Sequence, residues 1–137
     1  MSILLACFLA MTPQSFLDAV AEVETGNNPL AIGKAGERSQ FQISRLTWKQ
    51  HTDQKFSLCG KYQSLTHVVA EKHKRWLYET YTMTVGRPPS IYDMAVMWNA
   101  GFSYYKERGF NRMRVNRDIR NYANRVENLH NEQTKLP

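Results

Sequence analysis

Glu24 is the residue best placed for proton chemistry. With Phe16 at zero and about 100° of rotation per residue, an amphipathic helix sorts the residues before it into two faces. Phe16, Leu17, Ala19, Val20, Ala21 and Val23 fill one broad apolar face, and Asp18 and Glu22 fall opposite. Glu24 lands near the middle of the apolar face. A carboxyl held against apolar side chains resists ionising and keeps a proton to donate near neutral pH, which is what a general acid requires. The plainer reading is a buried glutamate satisfied by a tyrosine or a backbone group.

The residues after Glu24 form ordered blocks. Glu24-Thr-Gly-Asn-Asn-Pro is followed by Ala31-Ile-Gly and then by Gly36-Glu-Arg-Ser-Gln-Phe-Gln-Ile43. Trp98-Asn-Ala-Gly101 and Tyr122-Ala-Asn-Arg-Val126 come later. In this order and spacing the blocks resemble the signature of soluble lytic transglycosylases and their goose-type lysozyme relatives. The chain departs from that pattern at Thr25 (usually Ser), Glu37 (Ala), Ser39 (Gly) and Trp98 (most often Tyr).

The resemblance implies a mainly α, lysozyme-like single domain with a substrate cleft, and a minor β-hairpin or extended loop after the helix that carries Glu24. It also implies cleavage of the MurNAc–GlcNAc β-1,4 bond of peptidoglycan. Glycosidic cleavage needs a proton on the leaving oxygen and stabilisation of an oxocarbenium-like transition state. In the family one glutamate acts as acid and then base, and the muramic C6 hydroxyl closes a 1,6-anhydro ring. Glu24 takes that role here.

By the same resemblance Gln42 and Asn99 are amides that line the cleft and bind sugar N-acetyl groups. Tyr122 matches the tyrosine that approaches the catalytic glutamate, and Ser39, at a position where the family prefers Gly, is a candidate substrate contact. Each has a structural alternative: a loop-fixing hydrogen bond for either amide, core packing for Tyr122, a turn for Ser39. Glu37 and Asp53 are the candidate second carboxylates. Either of them across from Glu24 would allow a water-attacking lysozyme, with about 6.5–9.5 Å between carboxyls in an inverting geometry.

Several elements must hold these residues. Residues 3–11 form an apolar run too short to span a bilayer, suited to a signal remnant or a packed helix. Thr12-Pro13 suits a helix start, and Gly26 with Pro29 suits its end near Thr25. Residues 27–39 read as loop with a short extended pair. Ser44 caps a short helix to His51, and residues 53–60 read as loop. A long helix over residues 62–81 presents Tyr62, Leu65, Val68, Val69, Ala70, His73, Trp76 and Leu77 on one face, and Gly86-Arg-Pro-Pro89 breaks it. Ser90 and Asp93 have capping-box spacing, and Met94 to Trp98 is apolar on all sides, as in a central buried helix. Val115, Ile119, Tyr122, Val126 and Leu129 form a last apolar stripe. The domain reading is 1–11 apolar segment, 12–130 catalytic domain, 131–137 tail.

At 137 residues with 42% hydrophobic and 22% charged content, the chain suits one domain with a real core. A net charge of +6 implies an acidic partner: nucleic acid, anionic membrane or a polyanionic wall polymer. The resemblance selects peptidoglycan glycan strands, with no nucleic acid and no stable membrane insertion, for a monomer in the periplasm or extracytoplasmic envelope. Cys7 and Cys59 allow at most one disulfide. His51, His67, His73 and His130 form no ligand set, and no phosphate loop or zinc pattern appears, so no cofactor or metal is expected.

A competing binding-module reading uses Arg108, Arg112, Arg114, Arg117, Arg120 and Arg125, interleaved with Tyr104, Tyr105 and Phe110, as a basic aromatic surface for nucleic acid. It leaves the Glu24 block unexplained. A lysozyme-like fold that binds glycan without turnover is a third reading.

Overall fold

The computed structural model describes residues 16–135. The apolar run over 3–11, the helix start at Thr12-Pro13, Cys7 and the last two residues lie outside the described residues. The fold is mainly helical. Helix α1 occupies residues 16–25; it is followed by α2 (Arg45–His51), α3 (Gln63–Val85), α4 (Ile91–Ala100), α5 (Phe102–Glu107) and α6 (Arg117–Thr134). Short 3₁₀ turns at Phe56–Leu58 and Arg112–Arg114 complete the order. No described helix is long and apolar enough to cross a membrane.

Helix α1 follows the face its periodicity demands. Phe16, Leu17, Ala19, Val20 and Ala21 are buried, and Asp18 and Glu22 are exposed. The helix stops at Gly26, whose φ of +63° is cheap only for glycine. The Gly26 N–H bonds the Glu22 carbonyl and the Asn27 N–H bonds the Ala21 carbonyl, each at 2.9 Å. This paired closure satisfies carbonyls that a helix end otherwise leaves open.

Helix α4 is the centre of the packing, in contact with α3, α5 and α6. Tyr92 to Met97 are all buried. Its start is a capping box: Ser90 Oγ accepts the Asp93 N–H, and the Asp93 carboxylate accepts the Ser90 N–H, both at 3.0 Å. Asp93 does more than cap. It accepts the hydroxyls of Tyr105 (2.5 Å) and Tyr81 (3.3 Å), so one buried carboxylate joins α3, α4 and α5. Burial alone would raise its pKa, but the bonds from Tyr105 and Ser90 win and hold it below the ordinary value.

Helix α3 starts after Tyr62 and runs past Tyr81 to Val85, ending at Gly86 with φ +87°. Its expected apolar face is only partly covered. Val69, Ala70 and Leu77 are buried, whereas Tyr62, Val68 and Trp76 are exposed. Thr66 takes a core position because its hydroxyl is satisfied locally, donating to the Tyr62 carbonyl at 2.7 Å and accepting the Gly60 N–H at 2.9 Å. The stripe of α6 is buried at Val115, Tyr122 and Val126 and half-buried at Ile119 and Leu129, and the helix continues to Thr134, past the boundary at residue 130.

Between α1 and α2 the chain makes a miniature antiparallel hairpin of isolated bridges, Ile32 with Arg38 and Arg38 with Ile43. Residues 53–60, read as loop, contain the 3₁₀ turn at Phe56–Leu58. Cys59 is buried with a free thiol, pushed up to about 11 by burial and therefore inert at neutral pH.

Candidate active site

An open groove of about 610 Å³ runs between the hairpin and the C-terminal end of α4. Glu24 enters it from the end of α1, and Glu37, Gln42 and Ile43 from the hairpin. Leu46, Thr47 and Gln50 come from α2, His73 and Trp76 from α3, and residues 97–104 from the α4–α5 junction.

Thr25 fixes the Glu24 end of the groove. Its hydroxyl donates to the Ala21 carbonyl (3.3 Å) and lies 3.2 Å from the Gln40 carbonyl, and it accepts the Asn28 N–H at 2.9 Å. The opposite wall is fixed by Trp98, whose indole N–H donates to the Phe41 carbonyl at 3.1 Å. The same indole packs edge-on against Phe16 and tilts against His73. One side chain thus ties α1, the hairpin and α3 to the end of α4.

The Glu24 carboxyl is raised from 4.5 to about 7. Burial is the main cause; Tyr122 and Asn99, in hydrogen-bonding reach, and the charge of Arg125 offset part of it, while the charge of Glu37 adds to the rise. A carboxyl with a pKa near 7 is half protonated at neutral pH, and so both donates and recovers a proton readily. Tyr122 is 8% exposed, and its hydroxyl closes no regular hydrogen bond. Burial and the neighbouring Glu24 carboxylate push its ionisation far upward, so it stays a neutral phenol facing the acid.

The predicted site residues divide. Glu24, Glu37, Gln42 and Asn99 line the groove together, and Tyr122 stands behind Glu24. Gln42 also serves the loop, its amide nitrogen donating to the carbonyls of Ser39 (2.9 Å) and Ala31 (3.4 Å), which leaves the amide oxygen as its free group. Ser39 does not line the groove. It is 1% exposed, and its hydroxyl accepts the Phe41 N–H at 3.2 Å, the turn role rather than the substrate role. Asp53 lies in a separate concavity and does not meet Glu24.

Glu37 and Gln42 approach because Gly33 has no side chain. A Cβ there would fall 2.4 Å from a carboxylate oxygen of Glu37 and 2.4 Å from the amide oxygen of Gln42. Ser39 and Gln42 both have positive φ, +75° and +53°, so the hairpin holds left-handed backbone at two non-glycine positions beside the groove.

Sequence reasoning missed the far wall. Trp76 is 38% exposed and stacks on His73, which shares a 3.0 Å hydrogen bond with His51. Leu46, 80% exposed, stands on the α2 side. The excess breadth of the apolar face of α3 was the available signal. Of the basic aromatic residues, Arg108 lies over the Tyr104 ring, 3.5 Å from its centroid, whereas Tyr105 is fully buried on Asp93 and Phe110 packs on Tyr81, Phe102 and Tyr105.

No family model, curated protein or solved structure matches this chain.

Proposed function

We propose that the chain is a peptidoglycan lytic transglycosylase with a lysozyme-like fold, whose groove takes the glycan strand and whose Glu24 cleaves the MurNAc–GlcNAc β-1,4 bond. The observation that carries this reading is a carboxyl near pKa 7 opening into a groove that it shares with Glu37, His73, amides, hydroxyls and apolar side chains, with no Lys or Arg among the described lining residues. Glu24 gives its proton to the glycosidic oxygen as the C1–O bond breaks. Its carboxylate then takes the proton of the muramic C6 hydroxyl, whose oxygen bonds C1 and closes the 1,6-anhydro ring. No water is consumed, and Glu24 ends protonated. Asn99 and the Tyr122 phenol stabilise the carboxylate between the two transfers. Such an enzyme works in the periplasm or extracytoplasmic envelope, where its substrate lies.

A second reading rests on Glu37. It shares the groove and its charge is felt by Glu24, which supports reading it as the base of a water-attacking lysozyme. Digestion of purified peptidoglycan by wild type, Glu24→Gln and Glu37→Gln, with products read by mass spectrometry, tests both. Anhydro-muropeptides from wild type and Glu37→Gln, and none from Glu24→Gln, are the expected result. Reducing-end products lost in Glu37→Gln would make the chain a hydrolase. No products from wild type on intact or peptide-stripped glycan would sink the enzyme reading.

A further inference from the structure

The groove carries two carboxylates, and no Lys or Arg lines it among the described residues. It suits neutral sugar and repels anionic substituents. A second concavity of about 580 Å³ has the opposite character: Arg38, Arg45, Lys49 and Lys55 surround it against the single carboxylate of Asp53. None of these four cations forms an ion pair or donates a side-chain hydrogen bond among the described residues, where the ion pairs are Lys74–Glu71 and Arg87–Asp93. Four cations against one carboxylate leave the hollow with an excess of positive charge, which a bound anion would offset.

Two of the four cations are also held in place. The Phe56 ring, 6% exposed, carries the guanidinium of Arg38 at 5.1 Å and that of Arg45 at 4.9 Å from its centroid. A guanidinium packed on an aromatic ring keeps its N–H edges for paired oxygens, the geometry of a carboxylate or phosphate.

Helix α2 separates the two cavities. At about 100° per residue, Leu46, Thr47 and Gln50 share one side and Arg45 and Lys49 another, and these sets line the groove and the basic hollow respectively. The hairpin divides the same way, with Glu37 in the groove and Arg38 in the hollow. A polymer in the groove therefore needs to cross only one helix, about 10 Å wide, to reach the cations.

We propose that this hollow is an oxyanion-binding site, taking a carboxylate or phosphate group carried by the polymer whose glycan occupies the groove. The choice of polymer rests on the wall-glycan reading; the site itself does not. The carboxylates of stem peptides and the phosphodiesters of wall-attached polymers are the two sources of that chemistry.

The ¹⁵N-labelled chain is titrated with citrate and with tripolyphosphate at constant ionic strength. The expected result is saturable shifts at Arg38, Arg45, Lys49 and Phe56 with Glu24 and Asn99 unmoved, and affinity at least tenfold weaker in Arg45→Gln/Lys49→Gln. Both residues are exposed, so the double variant keeps the fold. Shifts spread equally over Arg112, Arg114 and Arg117, or undiminished affinity in the double variant, overturn the site. The tighter probe at matched charge identifies carboxylate or phosphate. On glycan strands bearing stem peptides or phosphodiesters, the double variant raises KM at least fivefold, with kcat and turnover of stripped strands unchanged. An unchanged KM overturns the link to the groove polymer. Absent turnover by wild type removes the reading of the groove and leaves the titration to decide the hollow.

Discussion

Glu24 is kept partly protonated by a site that disfavours its charge, and that has a cost in stability. Its folded pKa, about 7, lies above the ordinary value of 4.5. The folded state therefore binds more protons than the unfolded state between these values, and stability falls as pH rises through that window. Glu24→Gln removes the charge, so the variant should be more stable than wild type by about 1–3 kcal/mol at pH 8 and equal to it near pH 4. Chemical denaturation at the two pH values checks this; equal gains at both would mean that Gln packs better rather than that charge is relieved. On the proposed mechanism the acid form is the donor, so kcat/KM should decline above about pH 7. Gly33 gives a second test. Its backbone is outside the left-handed region, and the atoms that an added Cβ would meet are the ends of two flexible side chains. Gly33→Ala should change stability by less than about 1 kcal/mol, yet displace Glu37 and Gln42 enough to lower activity by about tenfold or more. Melting temperature and turnover measured together separate these effects.

At the scale of elements the groove depends on how Trp98 fastens the hairpin. Its indole N–H serves the Phe41 carbonyl from the last turn of α4. Trp98→Phe keeps most of the apolar contact but leaves that carbonyl without its donor, a loss of about 1–3 kcal/mol. Turnover should fall further than a stability loss alone explains, because Gln42 and Glu37 ride on the released hairpin. Hydrogen exchange at Arg38 and Ile43, whose N–H groups close the bridge between them, should rise first. Unaltered exchange there would refute the fastening role. Most helices were readable because each carries a local signal: the apolar arc and Gly26 of α1, Ser44 before α2, the capping box of α4, the stripe of α6. Glu24 was readable for the same reason, as a charge on the wrong face. Partners distant in the chain were not. Nothing near Trp98 points to Phe41, and nothing near Asp93 points to Tyr81 and Tyr105. Likewise the sequence could not say which part of the apolar face of α3 would be covered and which, at Trp76, would become groove wall. Ser39 misled because Glu37 and Gln42, on either side of it in the chain, line the groove while its own side chain is buried.

Charge is divided unevenly across the whole molecule, and on the proposed function that division would separate capture from chemistry. The chain carries 18 Lys and Arg against 12 Asp and Glu, yet the groove is lined by Glu24 and Glu37 and by no Lys or Arg among the described residues. His73, the histidine of the groove wall, adds no charge near neutral pH, since burial lowers it from 6.5 to about 4, with a smaller push from His51. On the proposed function, the exterior field would draw the protein to an anionic polymer, with no Lys or Arg lining the groove through which to act on the reacting bond. Attraction between exposed charges is screened over about 8–10 Å at physiological salt, whereas the burial that raises Glu24 is insensitive to salt. Raising NaCl from about 50 to about 200 mM should therefore increase KM on intact wall several-fold and leave kcat nearly constant. A neutral oligosaccharide of the same glycan, its muramic lactyl carboxylates converted to amides, keeps the MurNAc–GlcNAc bond but lacks the anionic groups and should show no change in KM over the same range. If kcat falls with salt on both substrates, the field reaches the chemical step, and the division of labour between exterior and groove is wrong. If KM rises equally for the neutral oligosaccharide, salt is acting on the fold rather than on capture, and the melting temperature in the two buffers will reveal it.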